Sequence, residues 1–229
     1  MPNNPIFLQC GCGDDYCAMI EDHKDRHARH CQRWGYDFEA KLYERMPDGE
    51  HLWFRIPLIL EILKERDPEY LFVADADIMV VDARYDMRDA VPAWAFLGMV
   101  MYPLASHVAS CHLNCGMTYI RNCEDAIKFF EAVLSRRYER HALHGWSEQS
   151  VINDLFYTTD WQKGIALISH RWNNNLHDID DRAHPIVAAW HGWQHPAMRR
   201  EIMRAYGATR PLDGESSRAL KTGVLAVRD

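Results

Sequence analysis

Two carboxylates stand two positions apart in Asp75-Ala76-Asp77, directly after the apolar run Tyr70-Leu71-Phe72-Val73-Ala74. Along an extended chain, side chains at i and i+2 point to the same side. Like charges held that close repel unless a cation lies between them. Hard divalent cations such as Mn²⁺ and Mg²⁺ favour carboxylate oxygen and can keep positions open for phosphate. The pattern therefore reads as a metal seat for a phosphorylated ligand. Its plain alternative is a pair of solvated loop carboxylates, because Asp-x-Asp alone is common.

The elements that must carry this pair alternate between strands and helices. Ile6-Phe7-Leu8 reads as a first buried strand running into Cys10-Gly11-Cys12-Gly13. Tyr16 to Trp34 has apolar and aromatic positions at helical spacing, with Gly35 where a C-terminal cap belongs. Tyr36 to Tyr43 alternates as a second strand. Leu52 to Arg66 predicts a helix burying Trp53, Ile56, Ile59, Leu60 and Leu63, with Pro57 tolerated in its first turns. Tyr70 to Ala74 is a third strand, which puts Asp75 and Asp77 at its carboxyl end. Further strands are expected at Ala95–Met101, Leu113–Tyr119, Ile165–Ile168 and Val187–Trp193. Helices are expected at Glu124–Leu134 and Ser147–Phe156, the second capped by Ser147. The alternation predicts an α/β fold, Rossmann-like, with a mostly parallel central sheet flanked by helices. Ligands of such sheets bind beyond the carboxyl ends of the strands, where the aspartates lie.

Composition sets the outer limits. A chain of 229 residues, 48% hydrophobic and 26% charged, fits one large soluble domain. We expect a single domain over residues 1–207 and a loosely packed tail over 208–229. A net charge of −7 without a long basic run argues against nucleic acid as a partner. No stretch approaches the length of a transmembrane helix, and the N-terminus lacks a signal peptide's apolar core. The expected location is cytoplasmic, with peripheral attachment to a membrane left open. The seven cysteines include no Cys-x-x-Cys pair and read as free, mostly buried thiols. A zinc site from Cys10, Cys12, Cys17 and His23, His27 or His30 is conceivable, but its spacing matches no structural zinc module.

The runs Trp53-Phe54-Arg55-Ile56-Pro57-Leu58-Ile59-Leu60 and Glu69 to Asp77 resemble retaining GT-A glycosyltransferases, with Asp82 as the following acidic residue. They look closest to the galactosyl, mannosyl and xylosyltransferase group, and they are also similar to bacterial lipopolysaccharide galactosyltransferases. Trp34-Gly35-Tyr36, Asn114-Cys115-Gly116-Met117, Trp146 to Ser150 and Val187 to Gly192 resemble further family segments in the same order. In the segment Trp146 to Ser150, Glu148 replaces the family's Asp.

The resemblance implies a GT-A nucleotide-diphospho-sugar transferase fold and a metal-dependent enzyme. Such an enzyme moves a hexose or pentose from a nucleotide sugar, with UDP favoured, to a glycan, glycolipid or glycoprotein, with retention. It implies Mn²⁺ (or Mg²⁺) held by Asp75, Asp77 and His191, with Ala76 and Gly192 beside them. Arg55 would contact phosphate or sugar hydroxyls, unless it is a surface helix charge. Gln9, Cys10, Gly11, Asp15 and Tyr16 would face the base and ribose, and Asn114 and Gly116 would line the sugar pocket. Glu148 and Gln149 are the catalytic candidates: the carboxylate would stabilise an oxocarbenium-like centre, and the amide would bond a sugar hydroxyl. Both are equally the polar residues of an ordinary helix start. Trp172 and Trp193 offer stacking faces to an acceptor sugar, with core packing as the alternative.

Three other readings compete. A haloacid-dehalogenase-like phosphatase would use Asp75 as nucleophile and Asp77 as acid/base, but its Asp-x-Asp strand usually opens the domain. A nucleotidyltransferase shares the doubly wound sheet, but Cys10-Gly11-Cys12-Gly13 lacks the cation of its triphosphate loop. A non-catalytic sugar-binding module would need neither nucleotide nor metal.

Overall fold

A computed structural model describes residues 3–47, 50–103, 111–139, 147–175, 185–190, 195–209 and 212. Strand β1 (Ile6–Cys12), helix α1 (Asp14–Trp34) and strand β2 (Asp37–Tyr43) come first. Helix α2 (Arg55–Glu61) and strands β3 (Tyr70–Asp75), β4 (Ile78–Val80), β5 (Leu97–Pro103) and β6 (Cys111–Arg121) follow. Helices α3 (Glu124–Ser135) and α4 (Ser147–Thr158), strands β7 (Ile165–Leu167), β8 (Asn174–Asn175) and β9 (Val187–Ala189), and helix α5 (Pro196–Thr209) complete the order.

Six strands form the central sheet in the order β2-β1-β3-β6-β5-β7. Among these strands β6 alone runs against the rest, so the sheet is mostly parallel, as the alternation predicts. β1 and β3 carry near-continuous apolar runs because both of their faces are covered. Ile6, Leu8, Leu71 and Val73 pack into one core cluster with residues of α2, α3 and α4. Phe7 and Phe72 point the other way, into a second cluster with Cys31, Tyr36 and Val187. A small sheet, β4-β9-β8, lies beyond the end of β3.

Local chemistry explains the boundaries. Gly35 takes a left-handed φ of 72° and closes α1 through its N–H on the Cys31 carbonyl. The helix expected over Leu52–Arg66 is divided. It consists of a 3₁₀ turn at Glu50–Leu52, the α-helical Arg55–Glu61, and a wider π-helical turn at Ile62–Arg66 ended by Asp67 at φ 45°. Pro57 is then the third residue of α2, where its missing N–H costs nothing. Ser147 stands at φ 47°, a left-handed conformation and not the extended one of the expected N-cap. The domain boundary expected at residue 207 falls inside α5, and Leu212 beyond it is buried, its carbonyl accepting from the Ala83 amide at 3.0 Å. Helix α5 has no counterpart in the sequence reading.

Candidate active site

Asp75 is the last residue of β3, paired across the sheet with Cys10 of β1. The chain turns through Ala76-Asp77 and enters β4. Buried Gln9 holds that turn from below: its amide nitrogen donates to the carbonyls of Asp75 at 3.1 Å and Ile78 at 2.9 Å. Trp190, just past β9, donates its N–H to the Asp77 carbonyl at 3.1 Å. Both ends of the acidic turn are thus fixed by distant elements.

A cavity of about 370 Å³ opens over the ends of β1 and β3. Asp75, Ala76 and Asp77 lie in its wall, with Cys10, Gly11, Cys12 and Tyr16 from the first strand and helix. Arg55 and Phe54 come from the start of α2, Glu148 from α4 and Arg199 from α5.

Arg55 is buried at the centre of this wall. Its Nη1 donates to Asp75 Oδ1 at 2.6 Å and to the Cys115 carbonyl at 2.9 Å, and its Nη2 donates to Glu148 Oε1. Burial alone would weaken its protonation. The Asp75 and Glu148 carboxylates more than offset that and hold its pKa above the ordinary arginine value. Asp77 faces a second guanidinium: Arg199 Nη1 donates to Asp77 Oδ2 at 2.7 Å, with both side chains largely buried. Burial also pushes the Cys10 thiol up to about 12, which favours its protonated form.

Strands β5 and β6 pair across a bulge. Gly98 of β5 pairs with Tyr119 and Val100 with Asn114, so one β5 residue spans four residues of β6. Side chains from α4 satisfy backbone groups of β6 that lie beyond its pairing with β3. Gln149 Oε1 accepts from the Cys115 N–H at 2.9 Å, and Asn153 clamps the Leu113 N–H and carbonyl at 2.6 and 3.0 Å. Asn114 Oδ1 accepts from the Gly116 N–H and from Asn173, each at 2.8 Å.

No family model matches this sequence, and no curated protein sequence matches it. Solved structures do. One is a glycosyltransferase involved in glycosylation of the major capsid of PBCV-1, superposing with a TM-score of 0.69 at 16% identity over 88% of this chain and 99% of that one. Another is the galactosyltransferase LgtC in complex with donor and acceptor sugar analogues, with a TM-score of 0.57 at 12% identity over 90% and 96%. A third is the apo glycosyltransferase GlyE of Streptococcus pneumoniae TIGR4, with a TM-score of 0.56 at 14% identity over 90% of this chain and 60% of that one. The fold is GT-A.

The GT-A frame brings Cys10, Gly11, Tyr16, Arg55, Asp75, Ala76, Asp77 and Glu148 to one cavity. Other expected site residues lie elsewhere. Gln9 serves the backbone of the acidic turn, and Gln149, Asn114 and Gly116 belong to the β6 bulge. Asp15 is in the first turn of α1, outside the cavity wall. Asp82 is held by Arg84, which donates to both of its carboxylate oxygens. Trp172 is buried against Tyr85 and Tyr119 and presents no face to an acceptor. His191, Gly192 and Trp193 lie outside the described residues. Among the described residues no trio of His, Cys, Asp or Glu is arranged for a metal, so the conceivable zinc set is not assembled. The sequence reading missed Arg199, and it missed His51, Leu52 and Phe54 in the wall. No described helix is long and apolar enough to cross a membrane.

Proposed function

We propose that this chain is a metal-dependent glycosyltransferase that moves a hexose or pentose from a UDP-sugar to a glycan, glycolipid or glycoprotein, with retention at the anomeric carbon. One observation carries the reading. Asp75, Asp77 and the carboxylate of Glu148 face a single cavity beyond the carboxyl ends of β1 and β3, in a GT-A frame. The neighbour LgtC is described with donor and acceptor sugar analogues, which supports the same two substrate classes here.

The donor set fits a hard divalent cation, since both aspartates offer only oxygen from positions two apart in one turn. His191 follows Trp190, whose N–H is bonded to the Asp77 carbonyl, and is our candidate for the third ligand. When bound, Mn²⁺ or Mg²⁺ supplies charge neutralisation to the departing nucleoside diphosphate. Arg55 keeps a fixed positive charge between Asp75 and Glu148 and orients both carboxylates. Glu148 stabilises positive charge developing at the sugar's anomeric carbon. Gln149 acts on the strand beside the cavity, its oxygen holding the Cys115 amide of β6. Cys10, Gly11 and Tyr16 form the side of the cavity suited to base and ribose. Asp75-Ala76-Asp77 follows the third strand, whereas the phosphatase alternative places its acidic strand first.

Thermal unfolding with UDP, GDP or CMP, each with Mn²⁺ or EDTA, tests the reading. Ligand at about 100 times its Kd adds about 2.7 kcal/mol, roughly 5–10 °C for a domain of this size. A rise with UDP that needs Mn²⁺ is expected. Indifference to every nucleotide, or to the metal, would overturn the proposal.

A further inference from the structure

Arg199 occupies a place that helix electrostatics disfavour. It lies in the first turn of α5, next to the positive end of the macrodipole, where a cation is destabilised by about 0.3–1 kcal/mol. What offsets this is Asp77, 122 residues away in sequence and 5% exposed, whose Oδ2 accepts from Arg199 Nη1 at 2.7 Å. The guanidinium also lies 5.9 Å from the ring centroid of Tyr16, inside the same cavity wall. A buried carboxylate left without positive charge is costly. Asp77 is therefore neutralised by the protein itself.

We infer that Arg199 is a resident counter-ion of Asp77 that must withdraw before a divalent cation can be held there. This rests on the reading of Asp75 and Asp77 as the cation seat. The withdrawal is local. Helix α5 is anchored independently of Arg199: Arg200 and Arg204 grip Asp22 of α1, and Met203 is fully buried beside Trp190. Only the first-turn side chain has to move. Arg55, held by partners on β3, β6 and α4, stays in place. The acidic turn is thus a competition between a tethered monovalent cation and a free divalent one. Metal affinity is set below what the two carboxylates would give alone.

Calorimetric titration of the metal-free protein with Mn²⁺ reads this directly. Arg199→Gln removes the competitor, and its Kd for Mn²⁺ should fall at least about ten-fold relative to wild type, given the coupling typical of close, buried charge pairs. Arg199→Lys keeps the charge and should stay near the wild-type value, which guards against a tighter apparent Kd that arises only from disturbed packing. In ¹⁵N spectra the Arg199 Nε signal, assigned by its loss in Arg199→Gln, should shift when Mg²⁺ is added. Equal or weaker Mn²⁺ binding by Arg199→Gln, with wild-type binding intact and abolished in Asp77→Asn, overturns the inference alone. Absence of Mn²⁺ binding in wild type and in both Arg199 variants overturns the metal seat and this inference with it.

Discussion

Arg55 and Glu148, 93 residues apart in sequence, are joined by a hydrogen bond from Nη2 to Oε1 that locks the start of α2 to the start of α4. Both side chains are 9% exposed, so the pair is shielded from water, whereas the Asp75 carboxylate that Arg55 also holds is 41% exposed. Removing one partner of a buried pair leaves an uncompensated charge and costs about 3–5 kcal/mol. Arg55→Met should therefore lower the Tm by roughly 10 °C. Arg55→Lys cannot reach three partners and should fall between. Denaturant unfolding measures both, and a change within about 0.5 kcal/mol, as for an ordinary surface substitution, would show the pair to be solvated.

Asp75→Asn and Asp77→Asn keep the shape of the acidic turn and remove its charge. Each should abolish the Mn²⁺-dependent thermal shift with UDP, read against that variant's own ligand-free Tm, which Asp77→Asn should lower more than Asp75→Asn because its pair with Arg199 is the more buried. Retention of the shift in either variant would remove that residue from the metal seat.

Gln9→Met tests the brace beneath the turn. The substitution is close in shape but leaves the carbonyls of Asp75 and Ile78 without their side-chain donor. The expected loss is about 1–3 kcal/mol, together with weaker Mn²⁺ binding, although the side chain of Gln9 is not in the cavity wall. Unchanged metal affinity would confine Gln9 to folding.

Acid should destabilise the protein through three histidines on α1. His23, His27 and His30 are buried, and both ring nitrogens of His30 lack a hydrogen-bond partner. Burial lowers the pKa of His23 and His30 to about 4 and that of His27 well below its ordinary value. The unfolded chain then binds protons that the folded one does not, from about pH 6.5 downward. Stability is full above that pH and declines toward pH 4, by on the order of 1.4 kcal/mol per unit for each histidine. Asp22 acts in a lower window: its bonds to Arg200 and Arg204 hold its pKa near 2, and that contribution disappears only below the ordinary carboxylate range. Urea unfolding at pH 7.5, 6.5, 5.5 and 4.5 gives the slope. In His30→Phe the decline should be shallower, and an equal slope would clear His30 of the effect.

The chemistry nearest the strands was legible. An apolar run ending in Asp75-Ala76-Asp77 read as a buried strand with two carboxylates at its carboxyl end, and Glu148 was singled out by the resemblance of Trp146 to Ser150, a helix start being its plain alternative. What escaped detection depends on contacts without a local signature. Gln149 and Asn153 have the spacing of a solvated helix face, yet they complete the backbone hydrogen bonds of β6. Arg199, Arg200 and Arg204 resemble surface charge until Asp77 and Asp22 come to face them. Trp172 illustrates the opposite ambiguity: a tryptophan suited to a sugar is equally suited to a core, and its neighbours Tyr85 and Tyr119 decide.

The bulge in β6 makes part of the central sheet answer to a helix. Within an ordinary ladder a backbone amide is released only when neighbouring strands separate, a cooperative event near the cost of global unfolding. The amides of Leu113 and Cys115 are instead closed by Asn153 and Gln149. Their hydrogen-exchange lifetimes should therefore track the docking of α4, not the integrity of the sheet. Two amides in mid-strand become clocks for the element that carries Glu148.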